Sequence, residues 1–543
     1  MPVTNTSPRL TFAIVAIGVC SYSLLQSVSV PTMPLIQTEL ETDQATASWI
    51  LTAFLLSASV ATPIIGRMGD SFGKRRMYVW SLAALTAGAL LAAAAPSIEV
   101  MIGARVLQGL GGGTLPLAFA ILRDELPKER VAGAIAVTSS LLSMGFAAGI
   151  VLAGPVAATL GFRALFLLPA LVAAGAAIAA LRMVPESPVL TREPIPLLPA
   201  VLLAGWLVAL LLGVSRAPSW GWTSPATLGL LGAAAVLLAV WIRVEWTVRQ
   251  PLVDLRLMGR RGVWTANLVA LLIGIAMYAS FGFIPQLTQT PSSAGYGFGA
   301  SITVAGYLML PTAITSFLCG LVSARLADLI GMRRILVIGG LLTAVSLAMV
   351  AFVHDEPWQM CVAAGLSGLG TGLVFANLAN AVVAAVPPEH TGVATGMNAN
   401  IRTVGGTIGT AAMTSLVTAQ TLPSGYPTEQ GYINGFGFLT LVALGAALAA
   451  MLIPLAPRKV TPVGRDDRSE VERRACSSAR AERGSDRAKR GDVTYAGRGV
   501  APVDRGVAPV DRGVAPVDRG VAPVDRGVAP VGREGTEMPC RPT

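Results

Sequence analysis

Charged residues make up only 13% of this 543-residue chain, and aromatic residues only 6%. A water-soluble globular protein carries about 25% charged residues. A soluble enzyme, a nucleic-acid binder and a disordered scaffold are therefore poor readings of the main body. Histidine occurs only at His354 and His390, and only four of the 40 basic residues are lysine. The five cysteines (Cys20, Cys319, Cys361, Cys476 and Cys540) are scattered, with no Cys-x-x-Cys pair. Neither a disulfide framework nor a metal site is expected from that spacing. The chain also lacks a phosphate loop, a nucleotide fingerprint and a clustered acid–base set, which argues against nucleotide hydrolysis and against an enzyme. No cofactor is expected.

What the chain has is apolar length: 53% of residues are hydrophobic and the mean hydropathy is +0.65. A helix crossing a bilayer needs ~20 mostly apolar residues. Fourteen such stretches occur, at about 10–33, 47–68, 77–95, 99–122, 131–159, 163–183, 195–214, 225–243, 263–287, 300–324, 334–353, 358–386, 392–419 and 433–455. The expected fold is an all-α polytopic membrane protein. Orientation follows from Lys and Arg in the short loops, which concentrate on the cytoplasmic side. With the N-terminus inside, the inner loops before residue 460 hold 20 basic residues and the outer loops hold two, Arg163 and Arg216. A missed or invented span would break this alternation, so the count and a topology with both termini cytoplasmic support each other. The net charge of +10 is then mostly an orientation signal, with no nucleic-acid partner implied. The Arg and Ala bias suggests a GC-rich bacterial source, and hence a multi-pass protein of the bacterial plasma (inner) membrane.

Residues 460–543 are different: polar, Arg-rich and, over 499–533, built of four copies of GVAPVDR and a final GVAPVGR. Each heptad contains Pro and Gly, which a helix interior tolerates poorly. A disordered cytoplasmic tail is expected.

Two loops resemble each other. The first reads Gly66-Arg67-Met68-Gly69-Asp70-Ser71-Phe72-Gly73-Lys74-Arg75-Arg76, and the second Ala324-Arg325-Leu326-Ala327-Asp328-Leu329-Ile330-Gly331-Met332-Arg333-Arg334. Each puts an Asp at a helix end, a Gly three residues later for the tight turn, and then basic residues. Such an Asp pairs with Arg across helix ends or caps a neighbouring helix N-terminus. The loops follow the second and tenth stretches, an offset of eight. Two six-helix halves would give six, so two extra helices lie between the halves: 10–183, a linker pair at 195–243, and 263–455.

On these residues the chain, from about 10 to 455, resembles the major facilitator superfamily, whose architecture is a pair of parallel repeats. Its fourteen spans in a 6+2+6 arrangement are similar to the drug:H+ antiporter group of multidrug exporters. Further motifs of that group appear as Arg105-Val106-Leu107-Gln108-Gly109 in the fourth helix and around Gly145, Gly149, Gly154 and Pro155 in the fifth. The resemblance implies export, with Arg105 aiding proton coupling and the Gly154-Pro155 element shaping the interface between halves. The Gly pair that follows in the family is Ala158-Thr159 here.

An intramembrane Arg is costly and marks a functional site by default. Gln108 lies one turn from Arg105 on the same face. Gly66, Gly69, Gly73, Asp70, Arg75 and Asp328 are the expected gating residues. Arg402 is a second intramembrane cation, for which substrate contact and structural bonding stay equally open. Gln26, Tyr22, Asn267, Asn377 and Asn398 are candidates for a central cavity, although neutral polar groups inside spans more often join helices by hydrogen bonds. The family's first-helix Asp is missing: the segment reads Ser23-Leu24-Leu25-Gln26-Ser27. Every Asp and Glu before the tail falls in a loop or near a span end, so Asp70 or the outer acids Glu39, Glu41 and Asp43 are left to carry a proton, and facilitated export or another coupling ion would equally explain the gap. A cavity poor in fixed negative charge suits neutral, zwitterionic or weakly charged amphiphiles.

The expected function is secondary active export of small amphipathic compounds, drugs or antibiotics, by alternating access coupled to proton influx. The expected protein is a monomer whose partners are the small-molecule substrate and membrane lipid. Export of an endogenous lipid or metabolite without proton coupling, or a membrane sensor on a transporter fold, are the alternatives.

Overall fold

A computed structural model describes residues 7–187, 196–249, 251–387 and 390–454. The chain divides into two units, Met1–Pro457 and Arg458–Thr543. The second unit, with the repeat tail, lies outside the described residues. So do Arg192, Glu193, Glu389, Arg458 and Lys459.

The fold is all-helical, with one isolated bridge, Thr421 to Pro427, among the described residues. Among the described residues, fourteen long helices follow one another. They are α1 Pro8–Ser27, α2 Trp49–Phe72, α3 Lys74–Ala93, α4 Ile98–Glu125, α5 Lys128–Leu160, α6 Ala164–Met183, α7 Leu197–Trp220, α8 Pro225–Thr247, α9 Arg261–Gln289, α10 Ile302–Ile330, α11 Met332–Phe352, α12 Pro357–Ala385, α13 Thr391–Val417 and α14 Glu429–Ala450. Thirteen of these, all but α13, are long and apolar enough to cross a membrane. Although α13 runs 27 residues, it carries Asn398, Asn400 and Arg402 and is rich in Thr and Gly, which lowers its hydropathy. A helix can hold such residues in lipid only where other helices cover them. All three are buried here.

Local signals set the helix ends. Gly73 and Gly331 close α2 and α10 at φ of +112° and +89°, a region that disfavours side chains, so the two similar loops turn at equivalent glycines. Ser224, Ser301 and Thr428 accept N–H groups at the starts of α8, α10 and α14, and Glu356 with Gln359 forms a capping box on α12. Two helices are interrupted: α4 tightens to a 3-10 turn over Leu110–Gly113, and α10 breaks at Met309.

Packing follows the lack of a hydrophobic drive between helices in lipid, where small residues let backbones touch. The seam between α9 and α13 shows this. A Cβ on Gly274 would fall 2.2 Å from the Arg402 carbonyl oxygen, and one on Gly405 would fall 2.2 Å from that of Leu271. Among the described residues, the most extensive contacts between the first six helices and the last six are α2 with α13, α5 with α10, α4 with α13 and α5 with α12. The pair α7–α8 packs mainly on itself, but α7 also lies against both α2 and α13. Large apolar side chains such as Leu197, Val201, Val236 and Trp246 face outward, as a lipid-facing surface requires.

Gly274→Ala should lower the thermal unfolding temperature of the purified protein in detergent, because overpacking costs about 1–3 kcal/mol. Gly282→Ala, on the same helix but facing open space, should leave it unchanged or raise it. Equal effects of the two would mean the seam is looser than described.

Candidate functional site

Arg105 is fully buried on α4. Its Nε donates to the Ile50 carbonyl (3.1 Å), and its Nη1 to the Leu25 carbonyl (2.9 Å) and to Gln108 Oε1 (2.7 Å). Gln108 Nε2 in turn donates to the Gly88 carbonyl at 3.1 Å. The guanidinium also lies 4.4 Å over the Phe54 ring. One side chain thus ties α1, α2 and α4 together, with α3 reached through Gln108. Burying a charge costs several kcal/mol unless it is hydrogen-bonded, and Arg alone offers a planar fork with five donors for the purpose.

Four expected cavity residues gather beyond Arg105. Tyr22 and Gln26 on α1 are buried, and Gln26 Nε2 is 3.4 Å from the Tyr278 hydroxyl on α9. Tyr22 lies within electrostatic reach of Arg105, Arg402 and Tyr278. Arg402 sits 4.6 Å over the Phe375 ring, and with Asn398, Ser139 and Phe119 it lines a cavity of about 10 Å³. That is about the least space that holds one water, so the cavity is collapsed. The other expected residues are spent on helix–helix bonds. Asn267 accepts from Asn398 at 2.9 Å, and Asn377 donates to Ser323 (2.7 Å) and the Leu373 carbonyl.

The first of the two similar loops closes one end of the bundle. A Cβ on Gly66 would fall 2.8 Å from the Gly392 carbonyl oxygen, and one on Gly392 would fall 2.9 Å from that of Gly66. The backbones of α2 and α13 touch there. Asp70 is buried and accepts the Val393 backbone N–H, with Arg67 and Lys74 as nearby cations and Asp124 as a nearby anion. It caps the first turn of α13, where negative charge is favoured. Lys74 pairs with Asp124 at 2.7 Å. Arg75 donates its backbone N–H to Glu186 (3.0 Å) and Nη1 to the Val184 carbonyl, so it braces the first six helices internally and, among the described residues, makes no hydrogen bond or ion pair across the closure. Gly69 and Gly73 give the room: a Cβ there would strike Leu117 and Glu186 respectively.

The second loop does not do the same. Ala324 stands where the first copy has Gly66, and a Cβ on Gly133 of α5 would be 3.8 Å from the Ala324 methyl. Asp328 is exposed and makes no hydrogen bond or ion pair among the described residues. At the opposite end of α5, a Cβ on Gly154 would fall 2.5 Å from the Thr303 backbone of α10, beside Pro155 within the helix. Among the outer acids, hydrogen bonds from Thr46 hold the Asp43 carboxyl below the usual carboxylate range, which keeps it ionised and makes it a poor proton carrier.

Two residues that the sequence reading passed over belong to the closure. Arg123, at the end of α4, donates to Thr391 Oγ1 (2.5 Å) and to the Val386 carbonyl (3.1 Å). Glu245, at the end of α8, is buried and accepts the Val253 N–H at 3.3 Å. In the sequence Arg123 is one more positive-inside residue and Glu245 one more span-end acid; neither carries a distinguishing signal.

The Major Facilitator Superfamily model matches residues 15–297 and 266–487. The Multidrug resistance protein B homolog of Mycobacterium tuberculosis is 30% identical over 419 residues, 74% of this chain and 76% of that protein. The Tetracenomycin C resistance and export protein of Streptomyces glaucescens is 27% identical over 418 residues, 76% of each. The Cephamycin export protein CmcT of Amycolatopsis lactamdurans is 28% identical over 474 residues, 85% of this chain and 96% of that one. Among solved structures, the human organic anion transporter MFSD10 (TETRAN) superposes with a TM-score of 0.59 at 16% identity, over 83% of this chain and all of that one. The chain belongs to the major facilitator superfamily.

Arg105→Lys should reach the membrane at the normal level yet transport at least about tenfold more slowly, since a lone ammonium cannot reproduce the fork and loses charge-assisted bonds of about 1.5–3 kcal/mol each. Transport normalised to protein level in membranes reads this. Full activity would assign Arg105 no more than a generic positive charge.

Proposed function

We propose that this major facilitator is a drug or antibiotic exporter of the bacterial plasma membrane, with fourteen spans in a 6+2+6 arrangement and both termini cytoplasmic. The relatives named for multidrug resistance and antibiotic export favour this substrate class. The observation that carries the mechanism is the α2–α13 crossing at Gly66 and Gly392, shut over a collapsed cavity whose walls come from both halves. Nothing of drug size fits in the cavity, so transport requires the halves to part, first at one end and then at the other. The lining, Phe119, Phe375, Ser139, Asn398 and Arg402, is apolar with a few polar groups and suits a small amphiphile.

Coupling is assigned to the closure itself. Ionised Asp70 caps α13 and attracts Arg67 and Lys74. A proton reaching Asp70 from the outer side removes that charge, α2 and α13 part, and the proton leaves to the cytoplasm as substrate enters. Arg105 and Gln108 keep α1, α2, α3 and α4 moving as one body, and Gly154 with Pro155 forms the outer counterpart of the closure. Asp328, exposed and lacking a close crossing, has the lesser role.

Inverted vesicles test this reading. Energised to an acid interior and challenged with a panel of antibiotics and dyes, vesicles with the wild-type protein should lose part of their pH gradient on substrate addition. Those with Arg105→Ala or Asp70→Asn should not. Accumulation of labelled compound without any proton movement would overturn the proton coupling. Silence toward every compound would overturn the drug-export reading in favour of an endogenous lipid or metabolite, or of a sensor.

A further inference from the structure

A second cavity, of about 180 Å³, lies beside the closure. It is large enough for a small organic molecule; an engineered cavity of ~150 Å³ holds benzene. Its walls belong to three bodies: α2 contributes Arg67, the start of α13 contributes His390 and Val393, and the segment between α8 and α9 contributes Arg249 and Leu257.

The charges around it are unequally committed. Arg67 is faced by the carboxylates of Asp70 and Glu245. Asp254, also in the wall, accepts the N–H groups of Arg256 (2.9 Å) and Leu257 (3.3 Å) and so caps the short helix Leu255–Met258. The side chains of Arg249 and His390 make no hydrogen bond or ion pair among the described residues, and Arg249 is exposed. Two basic groups therefore face a space otherwise walled by Pro251, Leu252, Met258 and Ala394.

The geometry points to a binding site for an amphipathic anion, a phosphate or carboxylate group with a short apolar body, whose occupation holds α2 against α13 and keeps the cytoplasmic end shut. A ligand shifts a conformational equilibrium only through its differential affinity for the two states. Here the difference is built in: Arg67 rides on the first half, and His390 and Val393 ride on the second. The walls meet only while the crossing at Gly66 and Gly392 is closed. The segment between α8 and α9 completes the site, which gives the extra helix pair a task at the gate. This inference rests on the alternating-access reading above; the existence of the site does not.

The same chemistry is available from the headgroup of an anionic lipid or from a soluble phosphate. Full-length protein in phosphatidylcholine nanodiscs, with and without phosphatidylglycerol, separates the two. Native mass spectrometry should find one more phosphatidylglycerol retained on the wild type than on Arg249→Gln/His390→Gln. Alternatively, labelled inorganic phosphate should bind one to one in the lipid-neutral discs and be lost in that variant. Equal lipid retention together with no phosphate binding overturns the site, whatever the transport result. The locking claim is read separately, by spin labels at Phe72→Cys and Leu329→Cys in a protein cleared of its native cysteines. Both positions are exposed, at 51% and 80%. The bound anion should at least double the short-distance population in the wild type and leave the variant unchanged. Binding without that change overturns the lock. A distance that moves with substrate and pH but never with the anion overturns the lock while sparing the transport mechanism.

Discussion

Two helix backbones touch at Gly66 and Gly392, and one end of the bundle is organised around that contact. Helices in lipid gain little from burying apolar side chains against one another, so a close crossing needs residues without a Cβ and polar groups to hold it. Both are present. Glycine on each side lets α2 and α13 meet, Asp70 caps the first turn of α13, and Arg123 reaches Thr391 and Val386 from α4. The equivalent crossing between α5 and α10 has Ala324 in place of the first glycine, and there Asp328 stays exposed. Two loops that look alike in sequence therefore differ in packing: Asp70 is buried against α13, whereas Asp328 is exposed.

Arg105 sets the second condition. A charge at that depth stays only because four neighbouring groups receive it: two backbone carbonyls, Gln108 and the face of Phe54. The consequence is mechanical as much as electrostatic. On the proposed mechanism, helices fastened to one guanidinium move together, so the proposed opening at Gly66 and Gly392 is a motion of a body rather than of one helix. Tyr22 lies within electrostatic reach of both that anchor and Arg402 of the other half. Among the described residues no carboxylate sits at the centre of a span, and the buried carboxylates are the two near this closure, Asp70 and Glu245.

The all-α polytopic fold was legible in the apolar stretches and the alternation of basic loops, because lipid imposes length and sidedness on every span. Thirteen of the fourteen stretches are long and apolar enough by themselves, and the fourteenth, α13, falls short because it is the polar helix at the interface. Arg105 with Gln108 and Asp70 with its glycines were legible as residue types out of place in a membrane. The split of the asparagines was not. Asn377 and Asn398 look alike in sequence and both bond between helices, to Ser323 and to Asn267, yet Asn398 also borders the central cavity. Arg123 and Glu245 were hidden for the converse reason: a charge at a span end is ordinary, and only packing shows that Arg123 reaches Thr391 of the other half and that Glu245 is buried near Arg67.

The most direct test of the central claim, that transport requires the two halves to part at the cytoplasmic end, is a reversible cross-link there. Asn380 of α12 donates to the Ala132 carbonyl of α5 at 3.0 Å, so cysteines at these two positions, in a protein without its native cysteines, bridge the halves beside the closure. Oxidation should abolish transport of labelled drug into inverted vesicles, and a reductant should restore it. Full transport by the cross-linked protein would contradict the account.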